Sequence, residues 1–361
     1  MSRSPTFPAT DLHGWYVQAK RDLPWRRDPK PYKVWISEIM LQQTQVGNVI
    51  AYFLNFLRKF PSVSNLADAP ESEVLSAWSG LGYYSRGRNL KKAAQVMMSE
   101  HSGKVPETFK ELIKLPGIGP YTAGAIASIA FEQPLPILDG NVKRVLSRFY
   151  LETDEKKLWS AAESVVRSWH QRKGKPSEIN QALMELGALI CSPRAPKCSQ
   201  CPLRKRCGAK DNSAAEFYPV GDRKLTTSKQ SHALLLLERQ CAAGQEFLLE
   251  QRSGSEPWLK GMWQFPIIPL APKENFKLAR CRGNVAKRFS SKLGQRIQVK
   301  RYLGKINHQI TRYKLDLQVI RAELIGRQAS LSSVYRWVPE LELQQFAYSS
   351  ILKKTLALAK N

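Results

Sequence analysis

The stretch "LIKLPGIGPYTAGAI", Leu112–Ile126, decides how the first two hundred residues are read. It begins as the end of one helix, passes through a Gly-rich turn, and resumes as a second helix starting near Pro120, where a proline suits the first helical turn. Gly117 and Gly119 permit backbone angles that other residues resist, and such a turn leaves amide groups facing outward beside a helix N-terminus, where a phosphate can sit. The same L-P-G-x-G pattern also serves as a plain tight interhelical turn, so both readings stand at this point.

On either side the helical period continues. Apolar residues recur at three- and four-residue steps in "VWISEIMLQQTQVGNVIAYFLNFLRKF" (34–60), "SEVLSAWSGLG" (72–82) and "INQALMELGALIC" (179–191), separated by Pro/Gly breaks. From Asp11 to about Cys207 the pattern predicts an all-helical domain. The polar, unpatterned run after Cys207 reads as a linker. Beyond it "HALLLLE", "EFLLEQR", "IQVKRYLGKI" and "RYKLDLQVIRAEL" predict strands, with helices near 275–293 and 349–359. The expected division is therefore 1–207 helical, 208–230 linker, and 231–361 mixed α and β.

The chain has 361 residues, with 56 Lys and Arg against 30 Asp and Glu, a formal charge of +26. Both halves carry the excess, which points to a polyanionic partner, nucleic acid before an anionic membrane surface. The N-terminal "MSRSPTFPAT" lacks an apolar core and no run reaches a membrane span, so a cytoplasmic protein is expected. In a reducing compartment the segment "CSPRAPKCSQCPLRKRC" (191–207) points to metal or redox chemistry rather than disulfides. Its spacing, C-x6-C-x2-C-x5-C, supplies four thiolates at Cys191, Cys198, Cys201 and Cys207. These can close either a tetrahedral zinc or an iron-sulfur site; a single C-x2-C pair suits the wider cage better. The segment also carries Arg194, Lys197, Arg204, Lys205 and Arg206, and ligation would pin the loop between Cys198 and Cys207 with its basic side chains. Cys241 and Cys281 lie far away and are expected to be ordinary buried thiols.

Two acids stand out. Glu38 sits in "VWISEIML" among apolar neighbours, where its proton affinity should rise, as a general acid requires; a buried partner of an arginine is the alternative. Asp139, in "PILDGNVKRV", precedes a helix and is either an N-cap or an ionised carboxylate beside helix-end amides. Together they form the kind of pair that glycosidic cleavage uses.

The segments "LPWRRDPKPYKVWISEIMLQQTQV" (23–46), "GLGYYSRGRNL" (80–90), "LPGIGPYTAGAI", "ILDGNVKRV" and the cysteine loop resemble those of adenine DNA glycosylases of the MutY kind, in the helix-hairpin-helix superfamily that includes endonuclease III. The resemblance runs from about Leu23 to Cys207. It implies a mainly α helix-hairpin-helix domain with an iron-sulfur loop, and an enzyme that removes adenine mispaired with 8-oxoguanine or guanine in double-stranded DNA. It also implies a 4Fe-4S cluster, no membrane partner and a monomer, cytoplasmic or nucleoid-associated. By the same resemblance Glu38 is the general acid, Asp139 stabilises the sugar cation or its covalent adduct, and Tyr121 and Asn141 support them. Trp25, Arg26, Leu41 and Gln181 match the lining of the base pocket, while Gln43 and Tyr83 match wedges in the base stack. Core packing is the alternative for Tyr83, Tyr84 and Trp78, and is the reading we adopt for Trp78.

In endonuclease III-like relatives the position of Tyr121 is a lysine that forms a Schiff base. Tyrosine has no such amine, which implies a monofunctional glycosylase. The second domain resembles an α+β MutT/Nudix-like domain that reads the base opposite adenine. After "GMWQFP" (261–266) no Arg-Glu-x-x-Glu-Glu segment follows to hold magnesium, so diphosphate hydrolysis is not expected. Where that family has a Phe-Ser-His triplet after a histidine, this chain has "HQITRYKL", giving His308, Ile310, Thr311 and Arg312 as candidate contacts, or else a plain strand. The competing readings are a bifunctional pyrimidine-lesion glycosylase-lyase and a non-catalytic iron-sulfur DNA-binding protein.

Overall fold

The computed structural model describes residues 6–210, 213–219, 226–242, 244–253, 258–271, 279–326 and 330–360. It divides into two compact units, Met1–Ala69 with Ser85–Lys224, and Pro70–Tyr84 with Leu225–Asn361. Among the described residues no helix is long and apolar enough to cross a membrane.

The first unit is helical. It contains α1 (Ala9–Ala19), α2 (Pro24–Arg27), α3 (Pro31–Leu41), α4 (Val46–Lys59) and α5 (Val63–Asp68). The next helix, α6 (Glu71–Ala77), falls in the second unit. The first unit resumes with α7 (Ser85–Glu100), α8 (Phe109–Leu112), α9 (Pro120–Phe131), α10 (Gly140–Tyr150), α11 (Glu155–Gln171) and α12 (Pro176–Leu189). One core joins Leu12 and Tyr16 of α1 to Val142, Leu146 and Phe149 of α10, Val166 of α11 and Leu183 and Leu186 of α12.

The long helical pattern 34–60 is two helices rather than one. At its middle Gln43 takes a left-handed backbone, φ 54°, and α3 ends at Leu41. The buried Arg86 guanidinium holds that end, donating to the carbonyls of Ile39 and Met40 at 3.0 Å each and to that of Gln42. Carbonyls left over at a helix C-terminus need such partners, and a side chain from another helix is invisible to local periodicity.

The second unit is built on a seven-stranded sheet. Its strands are β1 (Ser228–Cys241), β2 (Gly244–Gln251), β3 (Trp263–Gln264), β4 (Ile267–Pro269), β5 (Ile297–Ile310), β6 (Tyr313–Leu324) and β7 (Tyr335–Pro339). The order is β3-β2-β1-β6-β5, with β4 pairing β1 and β7 pairing β2; β1 and β6 run parallel, the other pairs antiparallel. Two helices cover it, α13 (Ala279–Leu293) and α14 (Ser350–Lys360). Ala233, Leu235 and Leu237 pack with Val285 and Phe289 of α13, whereas Leu234 and Leu236 pack with Ile351 and Leu352 of α14. That explains the unbroken run Leu234–Leu237: a central strand covered on both faces does not alternate.

Several expectations change at the boundaries. Pro70–Tyr84, expected in the helical domain, groups with the second unit because the Ser79 and Tyr84 hydroxyls both donate to the Tyr348 carbonyl at 2.9 Å. Within the expected linker, Ser213–Phe217 forms a 3-10 helix and β1 already starts at Ser228, while 211–212 and 220–225 lie outside the described residues. The expected helix from 275 begins at Ala279 among the described residues, 272–278 lying outside them. Cys241 is half-buried at the end of β1, its thiol donating to the Gly244 carbonyl at 3.2 Å, rather than a core thiol; the side chain of Cys281 lies outside the described residues.

Candidate active site

Every residue of α3 from Val34 to Met40 is buried, which brings Glu38 inside with them. Trp35, Ile36, Ile39 and Met40 are each at most 2% exposed. At about 1.5–3 kcal/mol per buried side chain they outweigh the penalty of burying one carboxyl. Among the described residues no arginine is a hydrogen-bond partner of Glu38. The Tyr121 hydroxyl, from the first turn of α9, donates to its Oε2 at 2.6 Å. Burial pushes the Glu38 carboxyl up to about 7; the Tyr121 hydrogen bond pulls the other way, and the Asp139 charge adds to the rise. Burial likewise drives the Tyr121 phenol well above its ordinary range.

Asp139 caps α10. Its Oδ1 accepts from the Val142 amide at 2.7 Å and its Oδ2 from the Asn141 side chain at 3.0 Å. Burial raises its proton affinity, against which the Val142 and Asn141 hydrogen bonds work. Asp139 is thus the N-cap, held by the helix it starts, and it is also a buried carboxylate of the cavity wall. Asn141 is held in turn by Arg144, which donates to its Oδ1 at 2.9 Å, to the Gly187 carbonyl at 2.7 Å and to the Cys191 carbonyl at 2.7 Å. A side chain at Gly187 would put its Cβ 2.6 Å from that of Asn141, so only glycine lets α12 approach this closely.

Glu38, Tyr121, Asp139 and Asn141 line one cavity of about 150 Å³, and Trp25, Arg26, Leu41 and Gln181 line it as well. Sequence reasoning missed Arg21 and Glu185 in the same wall. Glu185 is fully buried and accepts from Arg21 Nε at 2.7 Å, Arg21 Nη2 at 2.8 Å and Arg26 Nη2 at 2.8 Å. Burial alone would raise its carboxyl, yet these two arginines hold it down to about 2. The signal was present: an acid in "INQALMELGALIC" is as anomalous as Glu38 in α3.

The hairpin separates its two glycines. Gly117 has φ 79°, and a Cβ there would meet the Cβ of Asn89 at 2.7 Å. Gly119, expected to need unusual angles too, is extended at φ −94° as the N-cap of α9, and a Cβ there would meet nothing within 4 Å. Its part is therefore open space over the helix N-terminus rather than backbone freedom.

Gln43, Gly117 and Gly119 lie outside the cavity wall, and the remaining DNA-contact candidates belong to the second unit. Gln43, Tyr83 and Thr311 all have left-handed backbones, at φ 54°, 47° and 49°. That is uncommon for residues with side chains, most of all for a β-branched one, and such conformations cluster at functional sites. Tyr83 is 43% exposed, whereas Trp78 is fully buried and Tyr84 nearly so, as packing residues should be. Thr311 and Arg312 form the exposed tip joining β5 to β6, with the Arg312 guanidinium 5.1 Å from the centre of the Tyr313 ring. His308 is half-buried and, with Lys229, Lys305 and Lys314, lines a cleft; burial lowers its proton affinity, and the Lys354 charge lowers it further.

Cys191, Cys198, Cys201 and Cys207 line a separate cavity, with Arg148 in its wall. Arg148 donates to the Cys191 sulfur at 3.4 Å and to the carbonyls of Ser192 and Pro193 at 2.7 and 2.9 Å. Burial pushes the Cys201 thiol up to about 12 and the Cys207 thiol upward. Among the described residues no group of three or more His, Cys, Asp or Glu side chains is arranged to hold a single metal ion. Arg194, Lys197, Arg204, Lys205 and Arg206 are all exposed around this loop.

Comparison with known proteins agrees with both units. Residues 36–171 match the HhH-GPD superfamily of base excision DNA repair proteins, and 235–358 match the NUDIX domain. The adenine DNA glycosylase of Homo sapiens is 35% identical over 95% of this chain and 72% of its own length. That of Buchnera aphidicola subsp. Baizongia pistaciae is 38% identical over 80% of this chain and 82% of its own. A thermostable thymine-DNA glycosylase of solved structure is 31% identical, covering 56% of this chain and 94% of its own, with a TM-score of 0.51. A helical unit that buries a carboxyl pair around one cavity, a Nudix-like unit, and relatives similar along nearly the whole chain lead to one conclusion: this chain belongs to the adenine DNA glycosylase family, hydrolases of N-glycosyl bonds in base excision repair.

Proposed function

We propose that this protein is a monofunctional glycosylase that flips adenine out of duplex DNA, where it is mispaired with 8-oxoguanine or guanine, and replaces it with water. The observation that carries the reading is the Glu38 carboxyl, buried, raised to about 7 and hydrogen-bonded to Tyr121 at 2.6 Å. In its acid form, which burial keeps populated near neutral pH, Glu38 gives its proton to the adenine ring as the bond from the sugar breaks and its electrons pass to the base. Asp139 faces the developing sugar cation, as a charge partner or as the nucleophile of a covalent adduct, with Asn141 orienting it. Glu38, now ionised, takes a proton from the water that completes the reaction. Tyr121 supplies a hydroxyl and no amine, so no Schiff base forms and the product is an abasic site.

The four cysteines supply the thiolate donor set that a 4Fe-4S cluster takes, and all four line one cavity. When bound, the cluster supplies a rigid staple, and the chain's own exposed arginines and lysines around it meet phosphate. Gln43 and Tyr83 serve as wedges, Gly117 and Gly119 as the phosphate turn. His308, Thr311 and Arg312 contact the strand opposite the adenine, where Arg312 offers donors to a purine edge and Ile310 offers no aromatic ring to stack. The protein acts as a monomer in the cytoplasm or nucleoid.

The test is single-turnover cleavage of end-labelled duplexes carrying A opposite 8-oxoguanine, G, C or T, with and without hot alkali. Strand breaks only after alkali, and only opposite the two purines, are expected. Breaks without alkali would replace this reading with a glycosylase-lyase. Tight binding with no product on any duplex would replace it with a non-catalytic DNA-binding protein.

A further inference from the structure

A flipped base enters its pocket ahead of its own sugar, so the sugar closes the entrance behind it. After cleavage the abasic strand, a polyanion on a chain of charge +26, stays bound. A pocket with one mouth would then hold free adenine until the enzyme left the DNA. The wall of this pocket, however, is shared. Beside it lies a second, larger cleft of about 530 Å³, and Arg21, Arg26, Ile129 and Gln181 line both. Glu38, Tyr121, Asp139 and Asn141 line only the first.

The four shared residues differ in how firmly they are held. Arg21 and Arg26 are fixed by three hydrogen bonds of 2.7–2.8 Å to the fully buried Glu185. Among the described residues the Gln181 side chain donates to the Ser177 carbonyl, one turn back in its own helix, at 3.2 Å, and Gln181 is half-buried, as is Ile129 at the end of α9. The yielding part of the partition is therefore Gln181 and Ile129, framed by two rigid guanidiniums. Beyond it the cleft mixes apolar and polar surface in about equal parts, with the Tyr16 ring, the Glu178 carboxylate, and the exposed ammonium groups of Lys20 and Lys175 at its rim. A flat neutral purine with donors and acceptors on its edge matches such a lining. We propose that this cleft is the exit and transient binding site of the excised base, reached past Gln181 and Ile129 while the enzyme is still on the abasic strand. The inference takes the adenine glycosylase activity as given.

The experiment uses the full-length, cluster-loaded enzyme and a biotinylated mispaired duplex with radiolabelled adenine, captured on beads after a single turnover. Cleavage is read by alkali, free adenine in the supernatant, and enzyme on the beads. The wild type is expected to release adenine into the supernatant while remaining bound. Lys20→Trp/Lys175→Trp, which fills the exposed rim and touches none of the catalytic groups, is expected to cleave at the wild-type rate but release adenine about tenfold more slowly. If wild-type adenine appears only as fast as the enzyme leaves the beads, the pocket has one mouth and the proposal is wrong. Early release that the double variant leaves unchanged also overturns it, because the base then leaves by another route. Absence of alkali-sensitive sites would instead indict the activity itself.

Discussion

At the level of single residues, Glu38 and Glu185 show one sequence anomaly resolved in two ways. Both are acids in apolar helices, but Glu38 meets a neutral phenol and is raised to about 7, whereas Glu185 meets two guanidiniums and falls to about 2. In the unfolded chain Glu38 titrates near 4.5, so between 4.5 and 7 the folded state binds the extra proton. Its ionisation therefore destabilises the fold as pH rises through 7, by about 3 kcal/mol in full. Glu38→Gln is expected to lower the single-turnover rate by about a hundredfold or more and to raise the melting temperature above that of wild type at pH 8. Equal melting temperatures at pH 8 would show that Glu38 is not strained. The wild-type rate itself should fall above pH 7 as the acid form is lost. Glu185 behaves oppositely: its contribution is present above about 4.5 and is lost as pH falls through about 2. Glu185→Ala leaves two charges without their partner, and denaturant unfolding should show a loss of about 3–5 kcal/mol.

At the level of elements, the hairpin offers a clean comparison. Gly117→Ala forces a left-handed alanine against Asn89 and should lose more than about 1 kcal/mol of stability. Gly119→Ala meets open space in an extended backbone and should leave unfolding unchanged. If Gly119→Ala nonetheless weakens duplex binding, the turn holds a phosphate; if binding is also unchanged, it is only a turn. Both readings of L-P-G-x-G were available from the sequence, and only the difference between the two glycines makes them separable. Helix α10 shows the same limit. Its start at Asp139 could be read from composition, but Arg144 tying Asn141 to Gly187 and Cys191 depends on how α12 lies against it.

At the level of the whole molecule, the charge of +26 should appear as steep salt dependence. Six to ten neutralised phosphates give a slope of roughly −5 to −9 for log affinity against log salt, measurable by anisotropy titration. A slope near zero would remove the nucleic acid reading of the charge. If the proposed cluster places the exposed cations around the cysteine loop, Cys198→Ser should weaken duplex binding more than it lowers helix content by circular dichroism.

Local pattern determined much here. The period of the apolar residues separated a helical first part from a stranded second part, and the four cysteines and the two anomalous acids were visible as residue types out of place. Helix and strand signals repeat over a few residues, so one sequence contains them. What only the tertiary structure decided depends on neighbours far apart in the chain. Arg86 ends α3 within a run that reads as one helix, Ser79 and Tyr84 draw 70–84 to the second unit, and Tyr121 rather than an arginine meets Glu38. Glu185, some 160 residues from Arg21 and Arg26, fixes the wall between two cavities. A buried polar group takes whichever partner packing brings within 3 Å, and no local periodicity encodes that choice.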